Sequence, residues 1–185
     1  MSDFIEKFRE SLNSNVFSVE NNDNFCLKEK EEYTVNVKKV KNSQIIIIKP
    51  SEMKSLAKYL NSHSMPKDCD FILIDTQKEH IFFIELKSKS TTDTEVSIRN
   101  QLIAGKKWFE HILFVTGLSI EMIKDFKIIP ICIRVNNKMD YKQGGKFNLN
   151  NNIYKVNGHN IDLRNFYHNQ QCHITFINFE KKLKK

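Results

Sequence analysis

Two acids and a lysine bracket the most strand-like part of this chain. The apolar runs FILID (71–75) and HIFFIELK (80–87) are joined by a short polar stretch, a pattern that predicts an antiparallel hairpin. Asp70 stands just before the first run, while Glu85 and Lys87 lie at the end of the second. Because side chains alternate between the two faces of a strand, Glu85 and Lys87 point to the same face. We therefore expect the hairpin to gather all three ionisable groups at one end.

This set of side chains is suited to metal-assisted hydrolysis. Two carboxylates held a few ångström apart repel each other, and burial makes each charge more costly. A divalent cation relieves that repulsion, and hard carboxylate oxygens suit Mg²⁺, with Mn²⁺ as a substitute. The cation would lower the pKa of a bound water, which Lys87 would hold or deprotonate. The chemistry that Asp70, Glu85 and Lys87 support is the hydrolysis of phosphodiester bonds.

Simpler interpretations of the same residues exist. A Glu-x-Lys triplet is common on solvated strands, and an exposed Glu–Lys pair contributes little to stability. Asp68 and Asp75 also compete with Asp70 as the acid of the site. We expect Asp75 to be a turn residue and Asp68 to lie in a loop. The conjunction of an acid, two apolar strands and Glu-x-Lys is more specific than any one of these parts.

The spacing of these residues resembles the PD-(D/E)xK nuclease superfamily. Asp70 is followed by fourteen residues and then by Glu85-Leu86-Lys87, which is similar to the superfamily pattern of an acid, a hairpin and (D/E)-x-K. The resemblance implies a restriction-endonuclease-like core of order αβββαβ, and the stretch that carries the resemblance covers about residues 69–135. It also implies that Asp70, Glu85 and the Leu86 backbone carbonyl bind the metal and that Lys87 is the catalytic lysine.

Other features of the resemblance are less complete. Gln101 resembles a glutamine that RecB-like members carry near the site, on the helix after the motif. The tyrosine that often follows it has no match, since Gly105 stands four residues on, and Cys69 stands where the motif name expects proline. Many members also carry a glutamate on the first helix, for which this chain offers three candidates: Glu6, Glu10 and Glu52.

The elements before the hairpin follow from hydrophobic periodicity. Residues 3–12 predict an amphipathic helix, and the acidic, Asn-rich segment 13–32 predicts irregular structure. Residues 33–40 and 43–50 predict strands, the second of them buried on both faces because it contains four consecutive isoleucines. A short helix is expected over about 51–61, after Pro50.

A long helix is predicted after the hairpin, over about 91–116, with Thr92 or Asp93 as its cap. Its apolar stripe consists of Ile98, Leu102, Gly105, Phe109 and Ile112. Several basic residues on or before this helix, away from the stripe, are candidates for contacts with nucleic-acid phosphates. They are Lys89, Arg99, Lys106 and Lys107.

The remainder of the chain is less regular. Residues 126–135 predict a strand, and Pro130 within it indicates an edge position or a bulge. Residues 136–152 predict a loop, 152–158 and 173–179 predict strands, and the basic tail is expected to be solvated. The order of elements predicts an α/β fold, with a small mixed β-sheet flanked by helices. We expect one nuclease-like domain over residues 1–185, with 136–185 as a C-terminal extension of open role.

Charge and composition favour a cytoplasmic protein with a polyanionic partner. The net charge is +7, divided into −4 over residues 1–32 and +11 over the rest, which suits nucleic acid. The four cysteines form no CxxC pair, and neither a secretory signal nor an apolar run of about 18 residues is visible. Free thiols and no membrane contact are therefore expected.

These observations lead to one functional expectation and two alternatives. The first is a Mg²⁺-dependent nuclease that acts on DNA in restriction, repair or defence against phage or plasmids. It would work alone, as a homodimer, or with a separate motor or recognition subunit. The alternatives are a catalytically inactive nuclease-like module that binds nucleic acid or protein, and a basic scaffold protein in which the motif is accidental.

Overall fold

The computed structural model describes six stretches of the chain, namely residues 2–29, 33–57, 67–88, 93–135, 146–168 and 174–184. The helices are α1 Ser2–Ser11, α2 Pro50–Leu56, α3 Glu95–Val115, α4 Arg164–Tyr167 and α5 Phe179–Leu183, with a 3₁₀ turn at Ile120–Ile123. The first seven strands are β1 Phe17–Glu20, β2 Asn24–Glu29, β3 Tyr33–Lys38, β4 Ile45–Ile48, β5 Phe71–Asp75, β6 His80–Ser88 and β7 Lys127–Val135. The last four are β8 Lys146–Asn150, β9 Ile153–Asn157, β10 Asn160–Asp162 and β11 Ile174–Thr175.

The described strands form one large mixed sheet and one small sheet. The large sheet has the order β1-β4-β5-β6-β7-β9-β8, and β11 also pairs with β7. Neighbours from β1 to β6 are antiparallel, whereas β6, β7 and β9 run parallel to one another. The small sheet has the order β10-β3-β2. The fold is therefore mixed α/β, with an open mixed sheet flanked by helices, as the sequence predicted. The main sheet, with eight described strands, is larger than the small sheet that was expected.

The centre of the large sheet is covered on both faces. Phe83 of β6 packs against Phe109 of α3, with ring centroids 6.3 Å apart. The next residue back, Phe82, points to the other face and meets Phe166 of α4 at 6.2 Å. The isoleucines of β4 are all buried, which confirms the prediction of a strand without a solvated face.

The helix α3 confirms the predicted apolar stripe, but its cap lies two residues after Thr92 and one residue after Asp93. The side chain of Thr94 accepts a hydrogen bond from the Ser97 amide at 3.2 Å, so Thr94 is the cap in place of Thr92 or Asp93. The helix also lies very close to the start of β5. A Cβ added to Gly105 would lie 2.2 Å from Cys69 Sγ, and only glycine permits this approach.

Two regions expected to be irregular form strands instead. Residues 13–32 were predicted irregular, but they contain all of β1 and β2, and residues 146–150 form β8 within the predicted 136–152 loop. Hydrogen bonding with neighbouring strands outweighs the weak local propensity of these Asn-rich segments. Residues 136–145 lie outside the described residues.

The C-terminal region also differs from the prediction. The strand expected over 173–179 is limited to β11, and the basic tail forms α5. Phe179 and Leu183 are buried, so this helix docks on the core through an apolar face instead of lying free in solvent. The segment DLRNFY contributes the short helix α4.

The position of Pro130 corrects another prediction. The strand β7 is internal, since it pairs with β6 along its whole length and with β9 and β11 on its other side. Within the described residues, the register with β11 ends at Ile128 and the register with β9 begins at Ile131. Pro130 falls in this interval, where a missing N–H removes no ladder hydrogen bond on that side. None of the helices in the described stretches has the length and hydropathy needed to span a membrane.

Candidate active site

Asp70 is fixed at the mouth of the predicted hairpin by two bonds to β6. Its backbone amide donates to the Ile84 carbonyl at 3.0 Å, and its Oδ2 accepts from the Leu86 amide at 2.6 Å. The two bonds go to the residues immediately before and after Glu85. The predicted proximity of Asp70 and Glu85 is therefore confirmed. The N–H and C=O of a strand residue point to the same side, so the Leu86 carbonyl also faces the Asp70 side of β6.

Glu85 and Lys87 share one face of β6, as predicted, and form a buried ion pair. Lys87 Nζ lies 2.5 Å from Glu85 Oε1 and 3.2 Å from Asp93 Oδ2, just before α3. The Glu85 side chain is 1 % exposed and that of Lys87 is 12 % exposed. The lysine therefore bridges the end of β6 to the start of the long helix.

Burial and mutual repulsion shift the pKa values of this cluster. Burial raises the pKa of Glu85 to about 7, although its hydrogen bond and ion pair with Lys87 oppose the shift. The pKa of Asp70 is well above its usual value because of burial and the negative charge of Glu85. Burial lowers the pKa of Lys87, but the contacts with Glu85 and Asp93 outweigh it and leave the pKa raised. Lys87 is therefore a cationic hydrogen-bond donor in this arrangement.

A third acid, Glu29, reaches the same cluster from the end of β2. Its carboxyl group interacts with that of Asp70, and its charge raises the pKa of both Asp70 and Glu85. The sequence instead suggested three other glutamates as the additional acid. They are exposed on α1 and α2: Glu6, Glu10 and Glu52. The strand-like alternation of Phe25, Leu27 and Glu29 was the signal that could have found it, since Phe25 and Leu27 are buried and face inward.

Two buried polar atoms, one on Glu85 and one on the helix α3, are not satisfied by the described part of the protein. Glu85 Oε2 and Gln101 Oε1 are buried, and neither has a hydrogen-bond partner among the described residues. Gln101 is buried on α3, one turn before Gly105, the residue that contacts Cys69. A buried carboxylate oxygen without a partner is costly, and a bound cation or water would satisfy it.

The donor set fits a hard divalent cation in its chemistry. Asp70, Glu85 and Glu29 supply carboxylate oxygens, and the two buried acids gain most from a nearby positive charge. Among the residues that the structure describes, no group of three or more His, Cys, Asp or Glu side chains already has the spacing of a metal site. A cation held by two side chains, a backbone carbonyl and several waters would match the habit of Mg²⁺.

The competing acids lie in different surroundings. Asp75 ends β5 at the opposite end from Asp70, where its Oδ1 accepts from the Gln77 and Lys78 amides at 3.1 and 3.0 Å. Its role as a turn residue is confirmed. Asp68 forms an ion pair with Lys54, with an N–O distance of 2.9 Å.

The four basic residues predicted to contact phosphates differ in their burial and in their contacts. Lys89 lies outside the described residues. Arg99 is partly buried, and Lys107 is exposed on α3. Lys106 was predicted to face solvent, and this is wrong: it is buried, forms an ion pair with Glu110 and lies 4.4 Å from the centre of the Phe176 ring. Its charge is engaged in holding α3 to the C-terminal region.

No protein-family model, curated protein or solved structure matches this chain. The functional argument therefore rests on the chain's own residues and their arrangement.

Proposed function

We propose that this chain is a Mg²⁺-dependent nuclease that hydrolyses phosphodiester bonds in DNA, with Mn²⁺ able to replace Mg²⁺. The observation that carries the proposal is the convergence of Asp70, Glu85 and Lys87 at one end of the β5–β6 hairpin. The site combines buried acids of raised pKa with a cationic lysine. Perturbed ionisable groups of this kind cluster at functional sites.

The order of the surrounding elements also supports the resemblance to the PD-(D/E)xK superfamily. The strands β4, β5 and β6 pair as antiparallel neighbours, with α2 between β4 and β5, and α3 then connects β6 to the parallel strand β7. The acid and the Glu-x-Lys sequence lie on the two central strands of this unit. This arrangement agrees with the helix–strands–helix–strand order that the resemblance implies.

Each residue of the site has a separate proposed role. Asp70, Glu85 and the Leu86 carbonyl would hold the cation, with Glu29 beside Asp70 as a further acid. The cation would supply a water of lowered pKa and neutralise charge on the phosphate. Lys87 orients the water or the scissile phosphate as a donor, since its raised pKa disfavours a role as the base. Gln101 offers a buried amide oxygen that positions the water or a ligand of the cation.

A metal-dependent cleavage assay tests this function directly. Purified protein is incubated with supercoiled plasmid and with labelled single strands, in Mg²⁺, in Mn²⁺ and in EDTA. The proposal predicts cleavage in both metals and none in EDTA, and the products distinguish endonuclease from exonuclease action. Absence of cleavage on every substrate and with both metals would contradict it.

A second candidate is a nuclease-like module that binds DNA or a protein without cutting. It is favoured by the engagement of Lys87 with both Glu85 and Asp93, and by the lack of a ready three-ligand group among the described residues. Titration calorimetry with Mg²⁺ separates the two candidates, because the binding module has no need to bind the cation at Asp70 and Glu85.

The wider setting is part of the same proposal. Restriction, repair or defence against phage or plasmids in the cytoplasm would suit a DNA nuclease of this size. Cleavage of both strands would favour a two-fold homodimer. A separate motor or recognition subunit would supply translocation or sequence choice. Sedimentation of the protein, alone and with DNA, tests the dimer.

A further inference from the structure

Three parallel strands extend the candidate site sideways across the large sheet. The register between β6, β7 and β9 aligns Glu85 with Cys132 and Cys132 with Lys155. Two residues further along each strand, Arg134 of β7 is aligned with Lys87 of β6. Aligned residues on neighbouring strands point to the same face of a sheet. Arg134 and Lys155 therefore lie on the face that carries Glu85 and Lys87.

The electrostatics of Cys132 support this proximity. Burial raises the pKa of its thiol to about 11, and the positive charges of Arg134, Lys87 and Lys155 oppose the shift while Glu85 adds to it. All four charges thus act on one buried thiol at the centre of the row.

The two cations remain within reach of solvent. Arg134 is partly buried, and the Lys155 side chain is 29 % exposed. Lys155 Nζ lies 3.7 Å from Glu95 Oε2 at the start of α3, and Asn151 Nδ2 donates to the other oxygen of Glu95 at 2.6 Å. A long contact of this kind between half-exposed groups is weak and yields easily to a phosphate.

We propose that Arg134 and Lys155 form a phosphate ledge, a surface that holds the backbone of a DNA strand beside the Asp70–Glu85–Lys87 site. The inference rests on the proposed function, because the ledge orients the strand that the site would cut. Neighbouring strands lie about 5 Å apart, so the ledge begins one strand from Glu85 and ends two strands away. It contacts the phosphates next to the scissile one.

The position of the ledge in the sheet agrees with a role in substrate binding. β6, β7 and β9 are parallel, so their carboxyl ends meet at one edge, where ligands of open α/β sheets bind. The planar guanidinium of Arg134 can grip a phosphate through two hydrogen bonds, whereas Lys155 supplies a point charge. The ledge replaces the buried Lys106 as the main candidate for phosphate contact.

The test measures DNA affinity at several salt concentrations, in EDTA so that no strand is cut. Fluorescence anisotropy compares the parent with Arg134→Gln, Lys155→Gln and the double variant on labelled duplex DNA. Each single variant is expected to lower affinity about three- to tenfold, and each lost contact reduces the salt slope by about 0.9. The matched control is Lys78→Gln, which removes an exposed charge from the β5–β6 turn, at the opposite end of the hairpin from Asp70, and should change affinity less than twofold.

Two further measurements keep the outcome clear. Arg134→Lys retains the charge and should retain most of the salt slope, and thermal melts check that every variant is folded. If Arg134→Gln and Lys155→Gln are folded and bind DNA as the parent does, the ledge is overturned. If they weaken binding in a chain that cuts no substrate, the ledge is supported and the nuclease proposal fails. If the chain cuts and the ledge variants have an unchanged KM, the function stands without the ledge.

Discussion

Oδ2 of Asp70 accepts a hydrogen bond from the backbone amide of Leu86 at 2.6 Å, across the mouth of the β5–β6 hairpin. One carboxylate oxygen is thereby committed to holding the acid against the strand that carries Glu85 and Lys87. The geometry of the site is thus set by backbone pairing, which is more rigid than contacts between long side chains.

Glu29 should matter for the site although no motif includes it. Glu29→Gln removes a negative charge beside Asp70 and Glu85, so the metal-free protein should gain about 1 kcal/mol of stability at pH 8. Loss of an acid that supports the ligands should also slow cleavage about tenfold or more and weaken Mg²⁺ binding. Urea unfolding, calorimetry and the cleavage assay measure these three effects. Glu10→Gln on the exposed face of α1 is the control, and equal behaviour of the two variants would contradict the assignment.

Stability without metal should fall as the pH rises through the range in which Glu85 titrates. The folded-state pKa of Glu85 is about 7, against an ordinary value of 4.5, so the folded protein binds this proton more tightly than the unfolded chain does. The associated stability is fully present below about pH 4.5 and is lost as the pH rises to about 7. The loss is about 3 kcal/mol at most. The pKa of Asp70 is also raised, so its ionisation adds to the loss of stability as the pH rises.

Glu85→Gln isolates this effect because glutamine does not titrate. Urea unfolding of the parent and the variant at pH 5, 6, 7 and 8 in EDTA should show a smaller fall for the variant. Addition of Mg²⁺ at pH 8 should stabilise the parent and leave the variant nearly unchanged. Parallel pH profiles for the two proteins would show that Glu85 is not held at high free energy in the folded state.

The contact between Gly105 and Cys69 should be sensitive to one methyl group. Gly105→Ala would place a Cβ 2.2 Å from Cys69 Sγ, and the resulting strain should cost about 1–3 kcal/mol. It should also slow cleavage, because Cys69 immediately precedes Asp70. Cys69→Ala removes the sulfur, so the double variant should recover much of the lost stability. A double-mutant cycle measures the coupling, and strictly additive effects would contradict the close contact.

The opposite end of β5 should affect stability alone. Tyr167 donates a hydrogen bond from its hydroxyl to Asp75 Oδ2 at 2.7 Å in the core. Tyr167→Phe leaves that buried oxygen without its donor and should lower the free energy of unfolding by about 1–3 kcal/mol. Cleavage below the melting temperature should be unchanged, because Asp75 is at the far end of the strand from Asp70. Loss of cleavage in a folded Tyr167→Phe protein would mean that the two ends of β5 are coupled.

The hairpin and its charged residues could be predicted because their determinants are local. Apolar runs of five and eight residues around a four-residue turn define β5 and β6, and period-two alternation then assigns Glu85 and Lys87 to one face. The apolar stripe of α3 is also predicted by residues that lie close together in the sequence. These patterns are strong because the strands and the helix are buried in the centre of the fold.

The remaining parts depend on contacts that sequence periodicity does not reveal. Glu29 enters the site through β2, whose strand is held by pairing with β3 and not by its own Asn- and Lys-rich composition. Lys106 looked solvated because it is charged and lies away from the apolar stripe of α3, but α5 and Phe176 pack over it. Pro130 lies in an internal strand since the pairing on one side is interrupted there. Each case is decided by residues far away in the chain.

A cleavage assay with Lys87→Ala is the most direct test of the proposed active site. The variant and the parent are compared on supercoiled plasmid in Mg²⁺, with Asp75→Asn, an acid outside the site, as the control for altered charge. Lys87→Ala should reduce cleavage at least a hundredfold, roughly the effect of losing one preorganised hydrogen-bond donor to the reacting groups. Folding and DNA binding in EDTA should be retained, and Asp75→Asn should still cut. A folded Lys87→Ala protein that cuts as fast as the parent would contradict the proposed active site.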